Sequence, residues 1–247
     1  MFGLGENRVI DRDIEDWHWA TWEYLIEKLG PPTDTPLVLP TAEFFPPGPK
    51  RGHELASHLF SCVKESMGMS EFPVVLRPQP SRPGSARVDE FLFLVNEGVP
   101  LGTFSIENGQ AIITYEPSLT SSPKQLIATF AHELSHYLLA PHHNELGEDM
   151  ELVTDLCVAY AGFGVFGANA SPSLTQHGDA FGQGWRVSGG GYMSPSSWGF
   201  AMAVFMALVE NQSDLSSWLR KDILGYYKKS RAHLAKNPGR LAALKQV

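Results

Sequence analysis

The sequence predicts an α+β fold, on three observations. Two alternating apolar runs, GTFSIE and QAIITY, flank Asn108-Gly109, the dipeptide best suited to a two-residue hairpin turn. Helical periodicity marks several separate segments, of which KQLIATFAHELSHYLL is the clearest: Leu126, Phe130 and Leu134 recur every four residues. A third segment, SPSSWGFAMAVFMALVEN, opens on a Ser-Pro pair and is almost wholly apolar, as expected of a helix buried on all sides.

The other elements follow in chain order. DRDIEDWHWATWEYLIEKLG carries Ile14, Trp17, Tyr24, Leu25 and Leu29 near helical spacing, and Gly30-Pro31-Pro32 ends it. TPLVLPTAEFFPPGPK reads as extended and proline-punctuated, and RGHELASHLFSCVKESMGM as a second helix. PVVLRPQ and EFLFLVNEG read as short strands separated by the loop Pro80–Gly84. After the hairpin, Ser122 is the expected N-cap and Pro123 the first residue of a helix that stops before Pro141. A helix from about Glu148 to Ala161 is ended by Gly162 and Gly164. A glycine-rich loop, HGDAFGQGWRVSGGGYM, precedes the buried helix, and a basic helical tail, expected to show a solvated face, closes the chain. Residues 1–98 are read as an N-terminal αβ portion and 99–247 as the portion that carries the chemistry, the two forming one compact unit.

Composition narrows the function. With 247 residues and a net charge of −8, the chain can bury a core without cross-links and is a poor partner for nucleic acid or an anionic membrane. Its two cysteines, Cys62 and Cys157, make no disulfide framework. No basic region followed by an apolar run opens the sequence, and no stretch of eighteen apolar residues occurs, so the expected location is cytoplasmic. Trp17, Trp19 and Trp22 are expected to pack in the core, and Cys157 to be a small buried hydrophobe.

Two segments begin alike, GHELASHLF and AHELSHYLL, but only the second has metal-site spacing. His132 and His136 are i and i+4 and share a helix face, whereas His53 and His58 are i and i+5, which rotates the rings apart by about 140°. A catalytic zinc takes three protein ligands and leaves a corner for water. His132 and His136 supply two of them on one rod. Glu133, beside the first histidine, is placed to act as general base on the water and then to protonate a leaving amine. An HExxH arises by chance in roughly one chain in a hundred of this length. Its place inside a strongly helical segment makes it more specific than that.

For the third ligand, His142 stands where HExxHxxGxxH would put one, but the glycine that such a chain reversal needs is Leu139. His142 and His143 therefore read as loop residues. Glu151 and Asp155 are i and i+4 in an otherwise apolar helix, and a carboxylate pair on such a face calls for a cation or donors. One can bind the metal while the other holds a ligand histidine through its free ring N–H.

HELSH followed by E-x-x-x-D on the next helix resembles the gluzincin class of zinc metallopeptidases. The resemblance implies a zincin-like domain, with Glu151 as third ligand to a single Zn²⁺ and Asp155 as the support of a ligand histidine; the exchanged assignment ranks second. It also implies that the strand AIITYEP borders the cleft and pairs with an extended peptide. TDLCVAYAGFG and GYMS are similar to TDL-x5-GFG and GYxS segments of an uncharacterised bacterial zincin-like family. The resemblance covers about residues 100 to 200, and Leu139 argues against the metzincins.

Tyr192, Arg186 and His177, the last beside Asp179, are candidates to stabilise an oxyanion. The expected activity is zinc-dependent hydrolysis of peptide bonds in a peptide or protein substrate, with neither nucleic acid nor membrane as partner. The alternative is a zinc-binding regulatory or interaction protein of the same fold without turnover.

Overall fold

The computed structural model describes residues 9–80, 100–171 and 192–247. The fold is α+β: a small mixed sheet of three strands packed against helices. The expected strand EFLFLVNEG lies outside the described residues.

The helices at the centre are α3 (Pro123–Leu139) and α5 (Met150–Tyr160), with α7 (Pro195–Leu208) packed against α5. Leu126, Phe130 and Leu134 of α3 are all fully buried, and at about 2 kcal/mol per side chain the stripe anchors that helix to the core. α7 buries twelve of its fourteen residues. Its Ser194 side chain accepts the Ser197 N–H, as the Ser-Pro pair predicts. Ser122 occupies the N-cap of α3 but makes no side-chain capping bond. Its φ of −128° and ψ of 72° belong to the end of a preceding 3-10 turn, Pro117–Ser121, which directs the chain into α3 by backbone bonds instead. α5 begins two residues later than expected, because Gly147–Asp149 form a separate 3-10 turn.

The hairpin has β2 (Gly102–Glu107) and β3 (Gln110–Tyr115), with Asn108 at φ 52° and Gly109 at φ 78°, the paired positive values of a type I′ turn. β1 (Val74–Pro78) pairs in parallel with β3 on its other side, so the order is β1-β3-β2. This corrects one expectation. AIITYEP is the central strand, and β2 is the edge, among the described residues, that faces the cleft. The cause is β1, which arrives from an earlier part of the chain and covers the outer side of β3.

α1 (Arg12–Leu29) lies against α5, with Trp22 fully buried, Trp19 buried and Trp17 half-buried on the core. α2 (Gly52–Ser66) packs on α3, and His53 and His58 on it bond Tyr115 Oη and the Pro46 carbonyl. α4 (His143–Leu146) and α6 (Gly164–Ala170) flank α5. α8 (Lys221–Lys236) and α9 (Pro238–Leu244) form the tail. That tail is only partly solvated: α8 lies along α7, and His233 and Arg240 pair with Glu15 and Asp16 of α1. No helix among the described residues is long and apolar enough to cross a membrane.

His18, fully buried between α1 and α7, bonds Ser197 Oγ at 2.7 Å. Burial pulls its imidazole down from 6.5 to about 3, so the folded chain holds it neutral. The unfolded chain binds a proton there below about pH 6.5 and the native one does not, so this contribution is complete above pH 6.5 and is lost as pH falls toward 3. At 1.36 kcal/mol per unit the total is roughly 5 kcal/mol. His18→Gln is expected to flatten the acid limb of a stability–pH profile measured by urea unfolding in EDTA. A profile parallel to the wild type would refute the assignment.

Candidate metal centre

α3 brings His132 and His136 to one face, and the chain must reverse to bring α5 alongside. The reversal takes ten residues, 140–149, through a 3-10 turn (Ala140–His142), α4, and Gly147 at φ 52°, a conformation that favours glycine. Glu145 secures this connection to α1: its carboxylate accepts from Tyr24 Oη at 3.2 Å and His142 Nδ1 at 3.3 Å and pairs with Lys28 Nζ at 3.1 Å.

Three side-chain donors then converge. His132 Nε2 lies 3.2 Å from His136 Nε2 and 3.2 Å from Glu151 Oε2, and His136 Nε2 lies 3.6 Å from Glu151 Oε1. All three residues are half-buried, and their candidate ligand atoms lie within 4.8 Å of one another. Ligands at 2.0–2.2 Å from a tetrahedral ion stand about 3.4 Å apart, so the observed triangle has the size of one face of such a site. The group could hold a metal ion.

Donor accounting supports the fit. The Thr154 hydroxyl spends its single hydrogen on the Met150 carbonyl, at 2.7 Å, so it can only accept from His136 Nδ1, at 3.3 Å. Asp155, itself buried, accepts from His132 Nδ1 at 3.1 Å with Oδ1 and from the Met193 N–H at 2.9 Å with Oδ2. Both rings thus commit Nδ1–H outward and turn Nε2 toward each other and toward a carboxylate oxygen. A positive charge between them, a metal ion or a proton on His132, completes that arrangement.

The charges agree. Burial by itself lowers the His132 imidazole, but hydrogen bonds to Asp155 and Glu151, with the charges of Asp155 and Glu133, outweigh it and hold the group up to about 10. The bonds to His132 and then His136 hold the Glu151 carboxyl far below its usual range. Glu133, between the histidines in sequence and nearly buried, is pushed up by burial against the opposing pull of His132 and His136.

The triangle opens on a cleft of about 760 Å³. One wall is β2, from Gly102 to Ile106, and the other includes His143 and Met150. Glu107 and Gln110 flank the two-residue turn as a hydrogen-bonded pair, so Ser105–Ile112 and Thr103–Thr114 bond likewise. The N–H and C=O groups of Gly102, Phe104 and Ile106 therefore point away from β3, along the edge that is free among the described residues. Tyr192 lines the same cleft, its ring 6.1 Å from that of His132 and about two-fifths exposed. Burial, then the charges of Glu151, Asp155 and Glu133, push its phenol up to about 12, so it is a hydrogen-bond donor at neutral pH. Arg186, His177 and Asp179 lie outside the described residues. His142 is held by Glu145, away from the triangle, and Cys157 is fully buried.

Thr154 was not apparent from sequence. It stands three residues after Glu151 and one before Asp155, so helical spacing alone puts it near the side of α5 that carries Glu151. Its role predicts that Thr154→Val, which keeps the shape and removes the acceptor, weakens metal binding about 10- to 100-fold in a competition titration with a chromophoric chelator. Unchanged affinity would show that His136 is oriented by packing alone.

No family model, no curated protein and no solved structure matches this chain.

Proposed function

We propose that the chain is a zinc-dependent metallopeptidase, with His132, His136 and Glu151 as the ligands of one Zn²⁺ and Glu133 as the acid–base. The convergence of three potential ligand atoms beside a buried carboxylate that is not one of them carries this reading. A structural zinc closes its shell with a fourth protein ligand, whereas three ligands facing a cleft leave a corner for substrate and water. Two imidazoles and one glutamate form a ligand set that catalytic zinc sites use. Bound there, zinc supplies a Lewis acid for the scissile carbonyl and lowers the pKa of a water to about 7.

The chain's own residues account for the remaining steps. An extended polypeptide pairs with the outward N–H and C=O groups of Gly102, Phe104 and Ile106, which sets its scissile bond against the triangle. Glu133 takes a proton from the attacking water as its oxygen bonds to the carbonyl carbon, then passes that proton to the amide nitrogen as the C–N bond breaks. Tyr192 donates a hydrogen bond to the oxyanion. Asp155 and Thr154 hold the two imidazoles in the tautomers that face the ion. The test is zinc analysis of the purified chain together with digestion of a peptide library by wild type and Glu133→Gln. The expected result is zinc in both and cleavage in the first alone. Zinc in both with cleavage in neither would favour a zinc-binding regulatory or interaction protein.

A further inference from the structure

We propose that Gly102 positions the Glu133 carboxylate, the residue being glycine so that no side chain occupies the gap between β2 and α3. The proposal rests on the peptidase reading. Gly102 sits in β2 opposite Tyr115 and is not among the positive-φ residues, so its backbone is one that other residues adopt. The missing Cβ is what matters. A Cβ built there meets Thr129 Cγ2 at 2.6 Å, Glu133 Oε1 at 2.9 Å and Glu133 Cγ at 3.0 Å. By contrast, a Cβ at Gly109 in the adjoining turn meets nothing within 4 Å.

Thr129 and Glu133 are i and i+4 on α3, stacked on the face that meets the strand, and both are buried. Thr129 is β-branched and within a helix is restricted to two χ1 rotamers, so its methyl yields only by a full rotamer exchange. The group free to move is the far end of Glu133. No hydrogen bond among the described residues ties that carboxylate down. Contact with a bare strand backbone therefore confines it. A methyl at position 102 drives the carboxylate off its place, while His132, His136 and Glu151 keep theirs. A misplacement of about 1 Å at a reacting group costs about 10²-fold in rate.

The experiment compares zinc-loaded wild type, Gly102→Ala, Glu133→Gln and the double variant Gly102→Ala/Thr129→Ser. It reads zinc content, kcat and KM on a cleaved peptide, and the affinity for acetohydroxamic acid, which chelates zinc and hydrogen-bonds a neighbouring carboxylate. Gly102→Ala is expected to keep its zinc, lose about 10²-fold in kcat with KM unchanged, and bind acetohydroxamate more weakly, as Glu133→Gln does. Removing the Thr129 methyl in the double variant relieves only the 2.6 Å contact and leaves the new Cβ against Glu133 Oε1 and Cγ, so both losses are expected to persist there. Wild-type kcat and affinity in Gly102→Ala would overturn the proposal. So would full recovery in the double variant, since it would trace the losses to the Thr129 contact and not to Glu133. If Glu133→Gln weakens the probe and Gly102→Ala does not, this proposal alone fails. If Glu133→Gln binds the probe as wild type does and no peptide is cleaved, the peptidase reading fails with it.

Discussion

Glu133→Gln is expected to lower peptide hydrolysis by about 10²- to 10⁴-fold, the usual contribution of a positioned acid–base group, while zinc content and fold stay as in wild type. The substitution preserves shape and removes only the capacity to take a proton. Glu133 is nearly buried beside His132 and His136 and is not one of the three converging donors, so the amide leaves the ion's contacts intact. It also removes a buried carboxylate that burial already disfavours in its charged form, so thermal stability should hold or rise slightly. Steady-state kinetics and metal analysis on the same preparation decide the point. Full activity in Glu133→Gln would mean that another group activates the water. Loss of zinc along with activity would mean that Glu133 is itself a ligand.

How much of this could be read from the chain differs residue by residue, for physical reasons. His132 and His136 were legible because a helix fixes their separation by geometry alone, and the apolar stripe of Leu126, Phe130 and Leu134 announces the helix. The turn at Asn108-Gly109 was legible because the φ values it needs exclude most other residues. The edge facing the cleft was not, because hairpin chemistry says that β2 and β3 pair but not which of them a third strand covers. That depends on β1, some thirty residues away and joined in parallel. Ser122 looked like a side-chain cap because its type is right, but the preceding 3-10 turn sets a backbone angle that makes no such bond. Gly102 carried no signal at all as a strand-end glycine. Its meaning lies in Thr129 and Glu133, which only the packed structure places against it.

Removing the metal is expected to destabilise the wild type and to leave His136→Ala almost unaffected. A ligand that binds only the folded state stabilises it by about 4 kcal/mol at a thousandfold excess over its Kd, and the three donors come from α3 and α5, which only the fold brings together. Without a cation, the site must hold Glu133, Glu151 and Asp155 close together beside His132, whose imidazole those carboxylates hold in its charged form. His136→Ala deletes one corner of the triangle and leaves two donors, too few for tight binding, so its stability should be the same with zinc or with EDTA. Asp155→Asn occupies the middle ground. The amide can still accept from His132 Nδ1 with its oxygen but carries no charge, so about a 10- to 100-fold loss of affinity is expected, and a smaller zinc-dependent shift in Tm. The order of that shift, wild type above Asp155→Asn above His136→Ala, follows from the proposed roles, Glu151 as ligand and Asp155 behind a ring. If Asp155→Asn abolished the shift and Glu151→Gln retained it, the roles of the two carboxylates would be exchanged.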